Sequence, residues 1–261
     1  MGARYANILI DLAGVLYQGT EPVPGAPRAL ARLRAAGCRV VFVTNTTRQP
    51  RDELVASLAA MGFDIAADEV LTAAQAARRH LTSVGQRAHL LVHPRLEPEL
   101  ADLVSNTAQC VVVGDAGEGF SYANLNRAFR TLMAASAPEL VALGDNRYFA
   151  ENASLSLDMG PFVHALAYAA DVEPLVVGKP AASFFEAGLA QLGAAAADTI
   201  MIGDDIASDV GGAQHAGLAG VLVRTGKYRA GDEDHPTVRA DQVRQDFPAA
   251  VDWLLDAGAD H

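Results

Sequence analysis

The stretch ILIDLAGVLYQG, residues 8–19, carries an apolar run into an aspartate, Asp11, and then turns at once through Gly14. Consecutive large apolar residues of this kind mark a strand buried on both faces, which is the habit of parallel sheets. A carboxylate that ends such a strand is costly unless something partners it. The flanking chain fits the same picture. APRALARLRAAG (residues 26–37) sets Ala26, Leu30 and Leu33 at helical spacing and stops at Gly37, and RVVFV (39–43) is a second buried strand. RDELVASLAAMG (51–62) is a helix introduced by Pro50 and closed by Gly62. Strand alternating with helix is the grammar of a parallel α/β sheet.

That grammar returns near the other end. PLVVG (174–178), the helix ASFFEAGLAQLG (182–193), TIMIG (199–203), the helix SDVGGAQHAG (208–217) and GVLVR (220–224) follow in order. Between the two blocks lies another mixed stretch, with strands HLLVH (89–93), CVVVG (110–114) and ELVALG (139–144). The expected organisation is a doubly wound, Rossmann-like parallel-sheet core formed by residues 1–73 and 174–261, with residues 74–173 inserted as a second α/β domain.

Composition narrows the function. With 261 residues and 51% hydrophobic content the chain can bury a substantial core. No apolar run approaches the roughly 18 to 20 residues of a membrane span, and the first apolar segment is cut short by Asp11 without a leader cleavage pattern. Cys38 and Cys110 have no metal-ligand spacing and read as small core residues of a reducing compartment, so the expected location is the cytoplasm. A formal charge of −11 opposes nucleic acid and anionic membrane as partners. His93, His164 and His215 are scattered and suggest no softer metal.

Polar residues gather where the outer strands end: Asp11, then Thr44 and Asn45, then Asp204 and Asp205, with Lys179 after PLVVG. Ligands of open parallel sheets bind outside the carboxyl ends of the strands, where loops and helix N-termini converge. Carboxylates with a divalent cation and a lysine neutralise phosphoryl oxygens, while a threonine hydroxyl and backbone amides hydrogen-bond them. Asp11 is the expected nucleophile, forming an aspartyl phosphate. Mg2+ is the expected ion, since it favours a few carboxylate oxygens with water and phosphate.

In that order, DLAGVLY (11–17), VTN (43–45), GKP (178–180) and GDDIASD (203–209) resemble the four motifs of the haloacid dehalogenase superfamily phosphatases. The short gap between the first two and the long gap before the third resemble subfamily IIA, which carries an α/β cap after the second motif. VVVGDAGEGFSYANLNRAF (111–129), LSLDMGPFVHALAYA (155–169), GGAQHAG (211–217) and VRTGKYR (223–229) resemble the phospholysine phosphohistidine inorganic pyrophosphate phosphatases within it. The resemblance implies that Asp11 is nucleophile and metal ligand, with the Ala13 carbonyl and Asp204 as further ligands of Mg2+. It implies that Gly14, Thr44, Asn45 and Lys179 bind the phosphoryl group of a small phosphorylated substrate, with Lys179 balancing charge. Asp209 would orient the lysine or a metal-bound water, or simply cap a helix, and Asp205 is a further acidic neighbour. A homodimer through the cap is implied as well. Asp115, Glu118, Phe120, Tyr122, Asp145, Asn146 and Arg147 are the cap residues that could touch a leaving group or serve only structure.

Ala13 departs from the superfamily pattern, which usually has a second aspartate there as general acid and base. Such catalysis is typically worth about 10²–10⁴-fold, so ordinary alcohol phosphates should be poor substrates. Pyrophosphate, acyl phosphates and phosphoramidates, whose leaving groups need the proton less, are favoured. The alternative is a catalytically degenerate protein that binds a phosphorylated ligand without cleaving it.

Overall fold

A computed structural model describes residues 3–151 and 154–256 of the chain. It begins with β1 (Asn7–Asp11), a short hairpin of β2 (Tyr17–Gln18) and β3 (Glu21–Pro22), α1 (Ala26–Ala35), β4 (Arg39–Thr44), α2 (Arg51–Ala60) and β5 (Val70–Thr72). There follow α3 (Ala73–Val84), β6 (Ala88–Leu91), α4 (Glu97–Leu100), β7 (Cys110–Val113), α5 (Tyr122–Ala134) and β8 (Glu139–Ala142). Then come β9 (Tyr148–Glu151), β10 (Ser154–Leu157), α6 (Gly160–Ala170) and β11 (Pro174–Val176). The chain continues with α7 (Ala182–Leu192), β12 (Thr199–Gly203), α8 (Gly212–His215), β13 (Ala219–Val223), β14 (Gln242–Arg244) and α9 (Phe247–Leu255).

Two compact units result. One holds the chain up to Thr44, Arg51–Leu71 and everything from Lys179; the other holds Asn45–Pro50 and Thr72–Gly178. In the first, six strands lie in the order β14-β13-β12-β1-β4-β5. From β1 the chain moves outward through β4 to β5, and later returns to β12 on the other side of β1. The order therefore switches at β1, and a crevice opens at the carboxyl ends of the strands there. Parallel pairing sets Asp11 level with Val43 of β4 and Ile10 level with Ile202 of β12, so Asp11, Thr44 and Asp204 emerge along one edge.

Both faces of this sheet are covered, which is why β1 reads as an unbroken apolar run. Ile8, Ile10, Phe42, Ile200 and Ile202 pack beneath Leu30 and Leu33 of α1 and Val251 and Leu254 of α9. Helix α1 obeys elementary rules: Gly25 caps it in the left-handed region, Pro27 stands in its first turn, and Arg32 and Arg34 face the negative end of its dipole. Its Ala26, Ala29, Leu30 and Leu33 form the buried stripe, and each leucine contributes about 1.5–3 kcal/mol by leaving water. On the opposite face α7 comes close because Gly188 has no side chain; a Cβ there would lie 3.2 Å from the Leu9 methyls.

The second unit has its own parallel sheet, ordered β11-β8-β7-β6, with Val111, Val113, Leu140 and Ala142 packed against Ala128 and Leu132 of α5 and Val163 and Leu166 of α6. Here the structure corrects two readings of the sequence. PLVVG does not join the returning strands of the first sheet; Leu175 pairs with Val141, in the second. Three apolar residues specify a buried strand but not which sheet receives it. Nor is SDVGGAQHAG one regular helix. Ile206–Gly211 forms a wide turn of π type before the short α8, which carries the Asp209 side chain inward to the aspartates and lysine described below.

Candidate active site

Asp11 is buried at the end of β1, and its Oδ1 accepts a 2.6 Å hydrogen bond from Lys179 Nζ. The same ammonium donates to Asp209 Oδ1 at 2.7 Å. Asp209 Oδ2 accepts in turn from the backbone N–H groups of Asp204 and Asp205, both at 3.1 Å. Gly203 permits this arrangement, since a Cβ there would collide with the Asp209 carboxylate. Asp204 completes the group. Its Oδ2 accepts from the Lys227 backbone N–H at 2.7 Å, whereas its buried Oδ1 has no hydrogen-bond partner.

Asp11, Asp204 and Asp209 each offer one oxygen, and these lie within 4.8 Å of one another. Three buried carboxylates around one ammonium leave negative charge in a place that water does not solvate. Burial, followed by attraction to Lys179 and repulsion from Asp209, leaves the Asp11 carboxyl pushed up to about 6. Burial and then the charges of Asp11 and Asp209 push Asp204 up to about 8. Burial alone would lower the Lys179 ammonium, but Asp11 and Asp209 outweigh it and hold the lysine charged well above its ordinary range. An orphaned carboxylate oxygen beside a surplus of negative charge suits a hard divalent cation, which oxygen ligands prefer.

The remaining residues of interest fall as follows. Thr44 ends β4, buried, one residue beyond the register partner of Asp11. Ala13 is exposed, and the turn it belongs to closes by a 2.7 Å bond from Gly14 N–H to the Tyr17 carbonyl. Gly14, at φ +92°, presses against Asp204; a Cβ would collide with Oδ2. Asp205 is the cap of the wide turn, its Oδ1 accepting from the amides of Ala207 and Ser208 at 3.0 and 2.9 Å. Capping thus belongs to Asp205, and Asp209 is committed to Lys179. In the second unit, Asn45 stands opposite Gly178, where a Cβ would come 2.9 Å from its Oδ1.

Three of the other cap candidates have structural partners in that unit. Asp115 accepts from Arg48 Nε at 2.5 Å, Phe120 stacks on Phe162 with centroids 3.9 Å apart, and Asp145 pairs with His164 at 2.9 Å. Tyr122 is exposed. Sequence reasoning missed Gly226 and Lys227, which lie in a loop with no periodicity.

A family model described as haloacid dehalogenase-like hydrolase matches residues 8–105, and a second model of the same superfamily matches residues 176–250. The phospholysine phosphohistidine inorganic pyrophosphate phosphatase of Rattus norvegicus is 46% identical over 95% of this chain and 94% of its own length. The chain belongs to the haloacid dehalogenase-type phosphatases. The Homo sapiens phospholysine phosphohistidine inorganic pyrophosphate phosphatase is 44% identical over 97% of the chain and 95% of its own length. Among solved structures, a glycerol phosphate phosphatase from Mycobacterium tuberculosis in complex with magnesium has a TM-score of 0.83 at 28% identity, covering 95% of this chain and 78% of that one. A 4-nitrophenylphosphatase from Thermotoga maritima shares the fold, with a TM-score of 0.87 at 22% identity over 95% and 97% of the two chains. In this phosphatase, no helix among the described residues is long and apolar enough to cross a membrane.

Proposed function

We propose that this phosphatase cleaves small phosphorylated compounds through a phosphoryl group carried on Asp11, with Mg2+ as cofactor and P–N or P–O–P bonds as preferred targets. The observation that carries the reading is the buried line of charge from Asp11 through Lys179 to Asp209, beside an Asp204 oxygen that nothing satisfies. Asp11 and Asp204, with the main-chain carbonyl of Ala13, would hold the ion. Asp209 spends its oxygens on Lys179 and two amides, so it orients the lysine. A bound Mg2+ would neutralise phosphoryl oxygens as the bond to the leaving group breaks. The magnesium complex of the M. tuberculosis relative supports that choice of ion.

The steps belong to the chain's own residues. A carboxylate oxygen of Asp11 attacks phosphorus, the P–N or P–O bond breaks, and the leaving group departs with the bonding pair. Lys179 favours the ionised form of Asp11 against the cost of burial. Thr44, Asn45 and the Gly14 backbone would hold the phosphoryl oxygens. Water then attacks the phosphorus of the aspartyl phosphate, the bond to Asp11 breaks, and orthophosphate and a proton are released. The Ala13 methyl can neither give nor take a proton in either half. Phosphate leaves pyrophosphate as a stable anion, and a nitrogen protonated from solvent leaves as a neutral amine or imidazole. These are the bond classes in the names of the rat and human relatives.

The test is Mg2+-dependent phosphate release from pyrophosphate, a phosphoramidate and a sugar phosphate. Wild type should cleave the first two, Asp11→Asn should cleave none, and Ala13→Asp should gain about 10²-fold or more on the sugar phosphate. Ala13 also favours a second reading, a protein that binds phosphorylated ligands without cleaving them. Release from none of the three, with Mg2+ and phosphate still bound, would establish that reading in place of the first.

A further inference from the structure

Of the chain's 20 Lys and Arg residues only Lys179 and Lys227 are lysines, and both stand beside the aspartates of the site. Everywhere else the chain meets its need for positive charge with arginine. A lysine supplies something different: a compact, mobile point charge in place of a planar fork. Lys179 uses that compactness in a buried slot between two carboxylates. Lys227 has no such slot, and its position calls for a different explanation.

The backbone and side chain of Lys227 do separate things. Its N–H holds Asp204 Oδ2, and the preceding Gly226 lies so close to Gly14 and Asp204 that a Cβ would collide with both. The main chain of this loop is therefore part of the site wall. The side chain, by contrast, is 65% exposed, with an Asp205 carboxylate oxygen 4.0 Å from its ammonium, beyond hydrogen-bond distance. The Lys227 backbone is hydrogen-bonded to Asp204, whose carboxylate shares with Asp11 a cluster of oxygens within 4.8 Å of one another, so the exposed side chain starts from the wall of the site.

We propose that Lys227 is the leaving-group cation, receiving the anionic portion of the substrate that departs from Asp11, above all the second phosphate of pyrophosphate. This rests on the hydrolase reading above. Lys179 cannot serve that end, since it is buried and donates to Asp11 and Asp209. Ala13 offers no proton. With no side-chain acid at position 13, neutralising the departing charge is a way to ease the departure of an anion. Because the ammonium is largely solvated, its effect is modest, about five- to tenfold in kcat/KM.

Lys227→Ala leaves the backbone N–H, and hence the hold on Asp204, in place. It should lower kcat/KM for pyrophosphate about five- to tenfold while changing phosphoramidate, whose leaving group is uncharged ammonia, by less than about twofold. Lys227→Arg should restore most of the pyrophosphate activity. An equal loss on both substrates, or none on either, overturns the proposal. Acylation of lysine amines followed by mass spectrometry gives a readout independent of turnover, since Lys179 is buried. In wild type with Mg2+, the non-hydrolysable methylenediphosphonate should slow acylation of Lys227 well below the rate seen with orthophosphate. Equal protection by both anions, or by neither, overturns the proposal. Should wild type release phosphate from neither substrate, the hydrolase reading falls and the labelling result alone decides the role of Lys227.

Discussion

Asp204 faces its surroundings unequally: one oxygen takes the Lys227 amide, and the other is buried without a partner. Two glycines make that placement possible. Gly14 at φ +92° and Gly226 at φ +61° both adopt the left-handed conformation, and either Cβ would strike Oδ2. Gly14→Ala must therefore move the aspartate and adopt a strained backbone together. The expected cost is about 2–3 kcal/mol in urea unfolding, with loss of any rise in Tm on adding Mg2+. Wild-type unfolding and an intact Mg2+ response in that variant would show that the close approach does not matter. At this scale the sequence was uneven evidence. Asp11 was legible because a carboxylate at the end of a doubly buried strand demands a partner. Lys227 was not, because a single loop lysine has no pattern; the stretch VRTGKYR carried the family resemblance without singling out its lysine, and the scarcity of lysine elsewhere is a further mark.

At the scale of elements, GDDIASD shows what spacing can and cannot settle. Aspartates four apart at a helix start leave open which one caps and which one turns inward. The wide turn over Ile206–Gly211 decides it: Asp205 accepts from the first amides of the turn and Asp209 reaches Lys179. Nearby Gly212 reinforces the choice: a Cβ there would lie 2.7 Å from the Phe185 ring and 2.9 Å from Pro180. Asp205→Ala removes the acceptor of two backbone N–H groups and should cost about 1 kcal/mol in urea unfolding. Asp205→Asn keeps an oxygen at the cap and should stay within a few tenths of a kcal/mol of wild type. Equal losses in the two variants would mean that the negative charge, not the cap, is what matters. Periodicity marked four of the six strands of the first sheet, β1, β4, β12 and β13, whereas the three-residue β5 and β14 are too short to carry a pattern. The destination of β11 was not readable, because strand pairing is a contact between distant residues that local pattern does not encode.

Across the whole molecule, stability and the proposed chemistry draw on the same carboxylates, and pH separates them. Unfolded aspartates lose their protons near 3.8, whereas Asp11 and Asp204 in the folded chain keep theirs to about 6 and about 8. Through that window the native state holds more protons than the unfolded chain, so this contribution to stability is present at low pH and lost as pH rises through the folded values. Lys179, raised above its ordinary 10.5, contributes stability fully present throughout the same window and does not reverse the trend. A divalent cation acts against the loss. It favours ionised carboxylates and must displace protons to bind where they are still held, so its affinity grows as pH rises. The rise in Tm caused by Mg2+ over EDTA should therefore be several degrees larger at about pH 8 than at about pH 5. Thermal unfolding in matched buffers measures this directly. A shift of the same size at both ends would mean that Mg2+ does not bind through Asp11 and Asp204, and that the orphaned oxygen of Asp204 needs another explanation.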